Sequence, residues 1–501
     1  MRLPLKPKPG LFSDDTTFAS PGVWEDASNI RFWLGSWQTI GGWGKAFPTN
    51  LTGVCRALLP WTQVDGQMIV AFGTHSALQV YSNGLLSDIT PAGLTVGNEN
   101  TSGGSPGWGS GAWGTGTWSS AASDYYARTW SLATYGEQLI ANPRGKGIYR
   151  WENDPLFPAV IIPNAPTVVD GILVTSEAQI LAFGCNEEVS GNYNPLAIRG
   201  SDIRDPEMWT TAANNNAFEH ILEGGGRIVG WKQIGSYIAV WTNSALHLGQ
   251  FIGEAGQAYR FDRVAENCGL VAPNAVEVVN QTAFWIGPDY QFRAWQLGGE
   301  PAILKCPIWR DFTDNLVEAQ KEKIVATGVS KFGEVWFHYP DDRDGIENSR
   351  YVAFNIADGT WFKGIMARSA AVDAGIATHP IMVEPSGGVY YHEYGETANG
   401  GALPWFIRSS DQYMDDGGRA VLIRGVRPDF EDQSGDIDLT FYVRRFPQGV
   451  AVEKGPYTLP NDREKKDLRV QGHIIASEFS GTEYARYGRP IFDLVPTGAR
   501  A

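Results

Sequence analysis

Two glycine-rich patterns that could do chemistry occur close together, and neither has the context that its chemistry requires. Residues 103–107, GGSPG, match the G-x-S-x-G pattern of a hydrolase nucleophile elbow. In that elbow the residue after the serine donates a backbone N–H to the oxyanion, but Pro106 has no N–H. Residues 109–114, GSGAWG, match a dinucleotide-binding G-x-G-x-x-G, yet no apolar strand precedes them and no helix follows. Both matches follow from glycine density and predict no active site.

Two acidic turns have some features of binding sites. The segment from Asp341, DDRDGIENS, has the oxygen ligands and glycine of a calcium loop, but it lacks alternating acidic positions and a distant bidentate glutamate. Arg343 also lies among the supposed ligands, so a solvated hairpin loop is favoured, while weak cation binding at Asp341–Asp344 stays open. The DGTW at Asp358–Trp361 is similar to a sialidase aspartate box, but its tryptophan comes too early and no second copy exists, which favours a simple turn.

The histidines and cysteines show no metal-binding or disulfide spacing. No HxH, HExxH or paired-cysteine pattern occurs, and no P-loop is present. We therefore expect buried free thiols, no cofactor, no metal and no catalytic activity. The histidines are His75, His220, His247, His338, His379, His392 and His473, and the cysteines are Cys55, Cys185, Cys268 and Cys306.

Composition and charge exclude several classes of protein. Hydrophobic residues make up 43% and charged residues 19% of the 501 residues, which excludes a disordered chain, and no apolar run is long enough for a membrane helix. The proline-rich start, MRLPLKPKPGLF, does not resemble a secretory signal. A net charge of −15, concentrated in the first four hundred residues, disfavours a protein that grips nucleic acid. It would suit a conduit through which DNA slides, because attraction would slow transit.

Seven segments share the plan of a β-hairpin. Each has a short apolar run, a turn containing Gly, Asn, Asp or Pro, and a second short strand. Their spacing of roughly 40 to 60 residues is that of propeller blades, so the sequence predicts an all-β fold with a six- or seven-bladed β-propeller. Unrelated hairpins in sandwiches are the alternative. The hairpins start at Gly66, Gly136, Ala178, Gly235, Gln281, Gly333 and His379.

The predicted organisation has three parts. Residues 1–50 form an N-terminal extended arm and first strands, and residues 51–400 form the propeller, with a Gly/Trp-rich insertion at 95–120. Residues 401–501 alternate apolar and polar positions with period two and predict a small C-terminal β-sandwich-like domain. The segment that begins at Asp314, DNLVEAQKEKIVAT, is the one stretch with helical character.

The insertion carries Trp108, Trp113 and Trp118 at intervals of five residues, separated by glycine and small polar residues. Glycine and this spacing disfavour both helix and strand. A propeller core does not need these side chains, so we expect an arm whose tryptophans dock on an adjacent subunit or a neighbouring protein. Packing back on the chain's own propeller is the alternative.

Three regions together resemble tail proteins of short-tailed double-stranded DNA bacteriophages, of the nozzle or hub (tail tubular) type. They are PGVWEDASNIRFWLGSWQTIGGWGKAF from Pro21, the stretch from Asp88 through the tryptophan insertion to Trp151, and the segments from Arg350 onward that end in SEFSGTEYARYGRPIFDLVPTGARA. The resemblance implies a virion protein, made in the host cytoplasm, with six copies in a ring below the portal and adaptor. It further implies that genomic DNA passes through the lumen without specific binding, and that tail fibre or tip proteins dock on the ring.

A carbohydrate-binding or carbohydrate-cleaving propeller, used in receptor recognition, is the alternative function. The 19 tryptophans and acidic loops could supply stacking platforms and carboxylates. The tryptophans fall largely inside strand patterns, however, and no carboxylate pair can be placed at glycosidase spacing. The structural role is therefore favoured.

Overall fold

Seven four-stranded antiparallel sheets, here blades 1 to 7, form most of the molecule. The computed structural model describes residues 2–16, 21–102, 125–413 and 419–497. Within blades 1 to 6 the four strands pair in chain order. The strands of blade 1 are Cys55–Thr62, Met68–Thr74, Leu78–Ser82 and Leu85–Asp88, those of blade 2 are Trp130–Tyr135, Gln138–Pro143, Tyr149–Trp151 and Val160–Ile161, and those of blade 3 are Val169–Val174, Ile180–Asn186, Tyr193–Gly200 and Phe218–Ile221. The strands of blade 4 are Ile228–Ile234, Tyr237–Thr242, Ala245–Glu254 and Gln257–Glu266, those of blade 5 are Val276–Val279, Thr282–Ile286, Phe292–Gln296 and Ala302–Ile303, and those of blade 6 are Val325–Val329, Glu334–Pro340, Asn348–Asn355 and Thr360–Ile365.

The first strands of successive blades contact one another in order around a closed circle. The first strand of blade 7 contacts that of blade 1. Between blades 3 and 4 the indole N–H of Trp231 donates to the Ile172 carbonyl at 2.9 Å. This circular order of four-stranded sheets is the β-propeller that the sequence predicts.

Blade 7 is completed by a strand from the N-terminal part of the chain. Its first three strands are Ala370–Val372, Ile381–Val383 and Val389–His392, and its outermost strand is Trp43–Lys45. Trp43 pairs with His392 and Lys45 with Tyr390. The circle of blades is therefore closed by hydrogen bonds between segments far apart in sequence.

All seven predicted hairpins are confirmed, and each is the central strand pair of one blade. The hairpin predicted from Gly66, for example, is Met68–Thr74 with Leu78–Ser82. The second strands face neighbouring blades on both sides and are mostly apolar, as in Met68–Thr74 and Thr282–Ile286. Glu334–Pro340 of blade 6 is buried along its whole length. Short apolar runs of this kind predict buried strands from the local sequence alone.

The helix predicted from Asp314 is wrong. An α-helix, Trp309–Asp314, ends where it should begin, a 3₁₀ segment covers Glu318–Lys323, and the remaining apolar residues enter the first strand of blade 6. Tertiary contacts outweigh helix propensity here, because Gln320, Glu322 and Lys323 are buried and bonded to other parts of the chain. A further 3₁₀ turn covers Ser330–Phe332.

Strands from both ends of the chain interleave in three further sheets, here the terminal unit. The N-terminal residues, which the sequence predicts to form an extended arm and first strands, share these sheets with residues after 400. In the first sheet the strand order is Arg2–Pro4, Ile491–Thr497, Ala420–Arg427 and Lys466–Gly472. In the second sheet it is Lys8–Leu11, Val23–Ser28, Trp405–Ser409, Ile474–Gly481, Ile437–Arg444 and Val452–Leu459, and Gln412–Tyr413 also pairs with Ile474–Gly481. In the third sheet it is Phe430–Glu431, Arg486–Tyr487, Ser36–Thr39 and Ile30–Trp33.

One hydrophobic core joins the terminal unit to the propeller. Trp37, Trp405 and Phe479 of the terminal unit belong to the same buried cluster as Trp336 and Phe337 of blade 6. Trp37 stacks on Tyr487 with ring centroids 5.0 Å apart. The terminal unit is thus packed on the propeller through buried apolar side chains.

Arg31 forms a buried ionic contact between the terminal unit and two blades. Its guanidinium donates to both carboxylate oxygens of Glu334 in blade 6, at 3.0 Å each, and to both of Glu393 beside blade 7, at 2.7 and 2.8 Å. The guanidinium also lies 3.7 Å from the Phe332 ring centroid. Four charge-assisted hydrogen bonds therefore fix the N-terminal strands against the propeller.

The four cysteines are buried and unpaired, as expected. No helix among the described residues is long and apolar enough to cross a membrane. Trp108, Trp113 and Trp118 lie outside the described residues, so their docking stays a prediction.

Candidate functional site at the centre of the propeller

The centre of the propeller is occupied by the 3₁₀ segment Glu318–Lys323, here the axial segment. It leads into blade 6, yet the Glu322 carboxylate contacts Arg144, directly after the second strand of blade 2, and Arg227, directly before blade 4. Blades 2, 4 and 6 are not neighbours. Side chains from all three can meet only near the axis, so the axial segment crosses it.

Glu322 holds two arginines in one buried group. Arg144 Nη1 donates to Oε2 at 2.8 Å, and Arg227 Nη2 donates to Oε1 at 2.7 Å. The Tyr126 ring lies against both guanidinium groups, with centroid distances of 4.5 Å to Arg144 and 4.8 Å to Arg227. Cation–π contact adds to the ionic attraction in this group.

The electrostatics of this group favour its charged form. Burial raises the pKa of Glu322, but the attraction of Arg144 and Arg227 outweighs it and holds that pKa below its ordinary value. Nearby Asp170 shows the opposite result, because burial raises its pKa despite the attraction of Arg144. Tyr193 donates to Asp170 at 2.7 Å. The central charges are thus already partnered within the fold.

A second ionic group ties blades 1, 5 and 6 together. Arg56 of blade 1 donates to both carboxylate oxygens of Glu347 in blade 6, at 2.6 and 2.9 Å. Lys323, at the end of the axial segment, also pairs with Glu347. Asn274, before blade 5, donates its amide to the Arg56 carbonyl at 3.2 Å. These contacts fix the C-terminal end of the axial segment through Lys323.

The base of the predicted insertion is bonded to the same segment. Thr101 and Gln320 exchange two hydrogen bonds of 3.0 Å, and Lys323 donates to Asn100 at 2.6 Å. The Ser102 N–H donates to the Tyr125 carbonyl at 3.0 Å, so the two described ends of the insertion lie side by side. Ser102 and Tyr125, the described residues on either side of 103–124, therefore lie next to each other near the axial segment.

A cavity of about 360 Å³ lies beside the axial segment. Its lining includes Tyr125, Tyr126, Arg227, Asn243, Lys321 and Glu322. Arg227 and Glu322 are paired with each other, and Glu318 accepts a bond from Tyr290 at 3.0 Å. Both carboxylates at the cavity thus already accept hydrogen bonds, and the arrangement builds a plug.

The acidic loop Asp341–Asp344 is occupied by arginines. Arg343 pairs with Asp341 at 2.6 Å and with Asp311 at 2.9 Å, and Arg350 pairs with Asp344 at 2.6 Å. Across the described part of the chain, no group of three or more His, Cys, Asp or Glu side chains could hold a metal ion. In DGTW, Asp358 and Gly359 lie in a turn, and Thr360 and buried Trp361 begin the last strand of blade 6.

The sequence reasoning missed the central ion pairs. One signal was available: Arg56, Arg227 and Lys323 each lie within one or two residues of the start of a first strand. A charged residue repeated there indicates a charged centre. The partners were not readable, because Arg144 and Glu322 lie 178 positions apart.

No protein-family model and no curated protein sequence matches the chain. Among solved structures it is similar to the WD40 β-propeller domain of Doa1, with a TM-score of 0.40 and 8% sequence identity, over 70% of this chain and 97% of that chain. That similarity carries no statement about function. On its own strand order and contacts, the chain is an all-β protein built of a β-propeller and an attached β unit.

Proposed function

We propose that this chain is a structural virion protein of a bacteriophage tail, of the nozzle or hub type, without enzymatic activity. Six copies form a ring around the DNA channel below the portal and adaptor. The ring conducts genomic DNA during ejection and carries tail fibre or tip proteins on its outer surface. The proposal starts from the sequence resemblance and is supported by one feature of the fold and by the net charge of the chain.

The closed centre of the propeller is the observation that carries the proposal. Glu322 and its two arginines occupy the position where an open channel would run, and the Glu322 carboxylate is paired with both guanidinium groups. A DNA duplex therefore has no path through one propeller, which supports a proposed channel that lies between copies. The same plug removes the central groups from acid–base or ligand-binding chemistry, which favours a structural role over a glycan-processing one.

The charge of the chain supports passage without retention. The net charge of −15 repels the phosphate backbone. Proteins that hold DNA neutralise phosphates with clusters of Lys and Arg. A ring of acidic copies would instead let DNA slide.

Electron microscopy of particles from a phage whose genome encodes this chain tests the proposal. An antibody against the chain should label the tail, and averaged images should show a ring there. Absence from the tail, or presence without ring symmetry, would overturn the proposal. Specific glycan binding or release of reducing sugar by the purified chain would instead favour the carbohydrate alternative.

A further inference from the structure

A patch on the rim of blades 1 and 2, here the rim patch, exposes large apolar side chains beside carboxylates. Val64 is 92% exposed and Leu156 85% exposed, and Phe157 and Val160 are also exposed. Asp65, Glu152 and Asp154 are exposed between them. The two turns are fixed together, because Glu137 accepts a bond from the Val64 N–H at 2.6 Å and another from Asn153 at 2.6 Å.

The rim patch is a negatively charged surface. Asp65 and Asp154 have no cation within ion-pair distance among the described residues, and Glu152 reaches only Arg150, at 3.6 Å. Arg150 itself lies closer to Glu207, at 3.2 Å. Exposed apolar side chains grouped in this way mark interaction surfaces. A partner for this patch should offer apolar side chains and positive charge.

A hairpin of the terminal unit offers both. Its tip joins the strands Ile437–Arg444 and Val452–Leu459, and we refer to residues 444–454 as the basic hairpin. Phe446 is 56% and Val450 91% exposed. Arg445 and Lys454 are exposed, and neither has an ion-pair partner among the described residues. Arg444, by contrast, pairs with Asp411 at 3.1 Å.

The basic hairpin also ends a sheet. Val452–Leu459 is the last strand of its sheet, and its first five residues are exposed. An exposed edge strand of this length is a ready site for association, which proteins usually cover or protect. Glu453 and Lys454 are both exposed on this edge, and Lys454 adds to the positive charge of Arg445. Charged residues on an edge strand discourage indiscriminate strand pairing, so the edge favours a partner of complementary charge.

We propose that the basic hairpin of one copy docks on the rim patch of a second copy of this chain. Arg445 and Lys454 then face Asp65, Glu152 and Asp154, while Phe446 and Val450 pack on Leu156 and Phe157. The two surfaces are different parts of the chain, so the contact is heterologous and generates a ring or a filament. This inference rests on the proposed ring and names the surfaces that build it.

Charge reversal provides the first test, with self-association measured by sedimentation velocity at high protein concentration. The hairpin variant Arg445→Glu/Lys454→Glu and the patch variant Asp65→Lys/Glu152→Lys should each weaken self-association at least about tenfold. Each variant keeps one native surface. A mixture of the two should therefore recover assembly, since reversed hairpin meets reversed patch and native meets native.

Cysteine cross-linking provides the second test. The native cysteines are buried, so background is low. A mixture of Phe446→Cys chains with Leu156→Cys chains should form intermolecular disulfides. The control mixture, Phe446→Cys with Val189→Cys, should not, although Val189 is 95% exposed on blade 3.

The outcomes separate this inference from the proposed function. If the wild-type chain assembles but the variants assemble equally well and Phe446 does not cross-link to Leu156, the docking is overturned and the tail proposal stands. If the wild-type chain stays monomeric at high concentration and no disulfide forms, the docking is overturned as well. A chain that assembles as inferred but is absent from phage tails would refute only the proposed function.

Discussion

Glu322 links the two arginines at the centre of the propeller. Its carboxylate accepts bonds from Arg144 and Arg227, and all three side chains are largely withdrawn from solvent. A buried pair is weak evidence for net stability, because desolvation offsets much of the attraction. Removing one partner is costly all the same, since it leaves the other charge buried and uncompensated.

Replacement of Glu322 by glutamine should therefore lower the free energy of unfolding by about 3 kcal/mol. Chemical denaturation, followed by tryptophan fluorescence, measures the change. Glu318→Gln is the matched control, because Glu318 lies in the same segment but is exposed. An equal loss in both variants would argue against the central role of Glu322.

Glu25 of the terminal unit is expected to make the stability of the fold depend on pH. Burial, with repulsion from Asp411, raises the pKa of Glu25 from 4.5 to about 7. A folded-state pKa above the unfolded value means that the folded state binds the extra proton, so stability falls as pH rises from about 4.5 to 7. Glu25→Gln removes this loss.

We expect Glu25→Gln to raise the melting temperature at pH 8 and to leave it nearly unchanged at pH 4.5. At pH 8 the free energy of unfolding should rise by about 1 kcal/mol, which is less than the full pKa shift implies, because Glu25 is partly exposed and solvent screens the interaction. Thermal unfolding followed by circular dichroism at both pH values measures it. A gain that is the same at both values would contradict the assigned cause.

At the level of elements, the sequence predicted the hairpins formed by neighbouring segments but not the strand pairings between distant segments. The seven central hairpins were predicted because each pairs strands a few residues apart, with turns of recognisable composition. The pairings of Trp43 with His392 and Arg2 with Asp493 left no local signal. The axial segment has good helix formers, but its buried contacts to blades 2 and 4 determine its conformation.

Deletion of residues 2–45 tests the role of the N-terminal strands. It removes the outer strand of blade 7 and the Arg31 contact, leaving Glu334 buried without its cation. Hydrogen exchange should show loss of protection in Val389–His392 and in Trp405–Ser409, with blades 2 to 4 less affected. Deletion of residues 2–4 alone, which removes only an edge strand, is the control.

The tryptophan insertion gives a second prediction for an element. Replacement of Trp108, Trp113 and Trp118 by serine should abolish assembly into the tail while leaving the melting temperature of the monomer nearly unchanged. Particle assembly in vivo and thermal unfolding of the purified chain measure the two effects. A collapse of monomer stability would instead indicate packing on the chain's own propeller.

For the whole molecule, the spacing of the seven hairpins predicted the class of fold. Residues 51–400 were assigned to the propeller, and the seven sheets lie within Trp43–His392. The closure of the circle and the interleaved terminal unit depend on contacts between the two ends of the chain, which a local pattern does not encode. The closed centre likewise follows from pairs that span three blades.

The acidic charge predicts that the isolated chain does not retain DNA. Fluorescence anisotropy with a labelled duplex at physiological salt should give a dissociation constant weaker than about 10⁻⁴ M. A basic DNA-binding protein under the same conditions is the positive control. Micromolar affinity would contradict passage without retention.

The strand Trp43–Lys45 also sets an order of events during synthesis. Its partner, Val389–His392, leaves the ribosome about 350 residues later. At about 5–20 residues per second, that delay is roughly 20 to 70 s. Throughout this time Trp43–Lys45 has no partner strand, and blades 1 to 6 can form only as an open arc. The last fifth of the chain is therefore needed before the first tenth can fold, which makes the unfinished chain a natural client for chaperones.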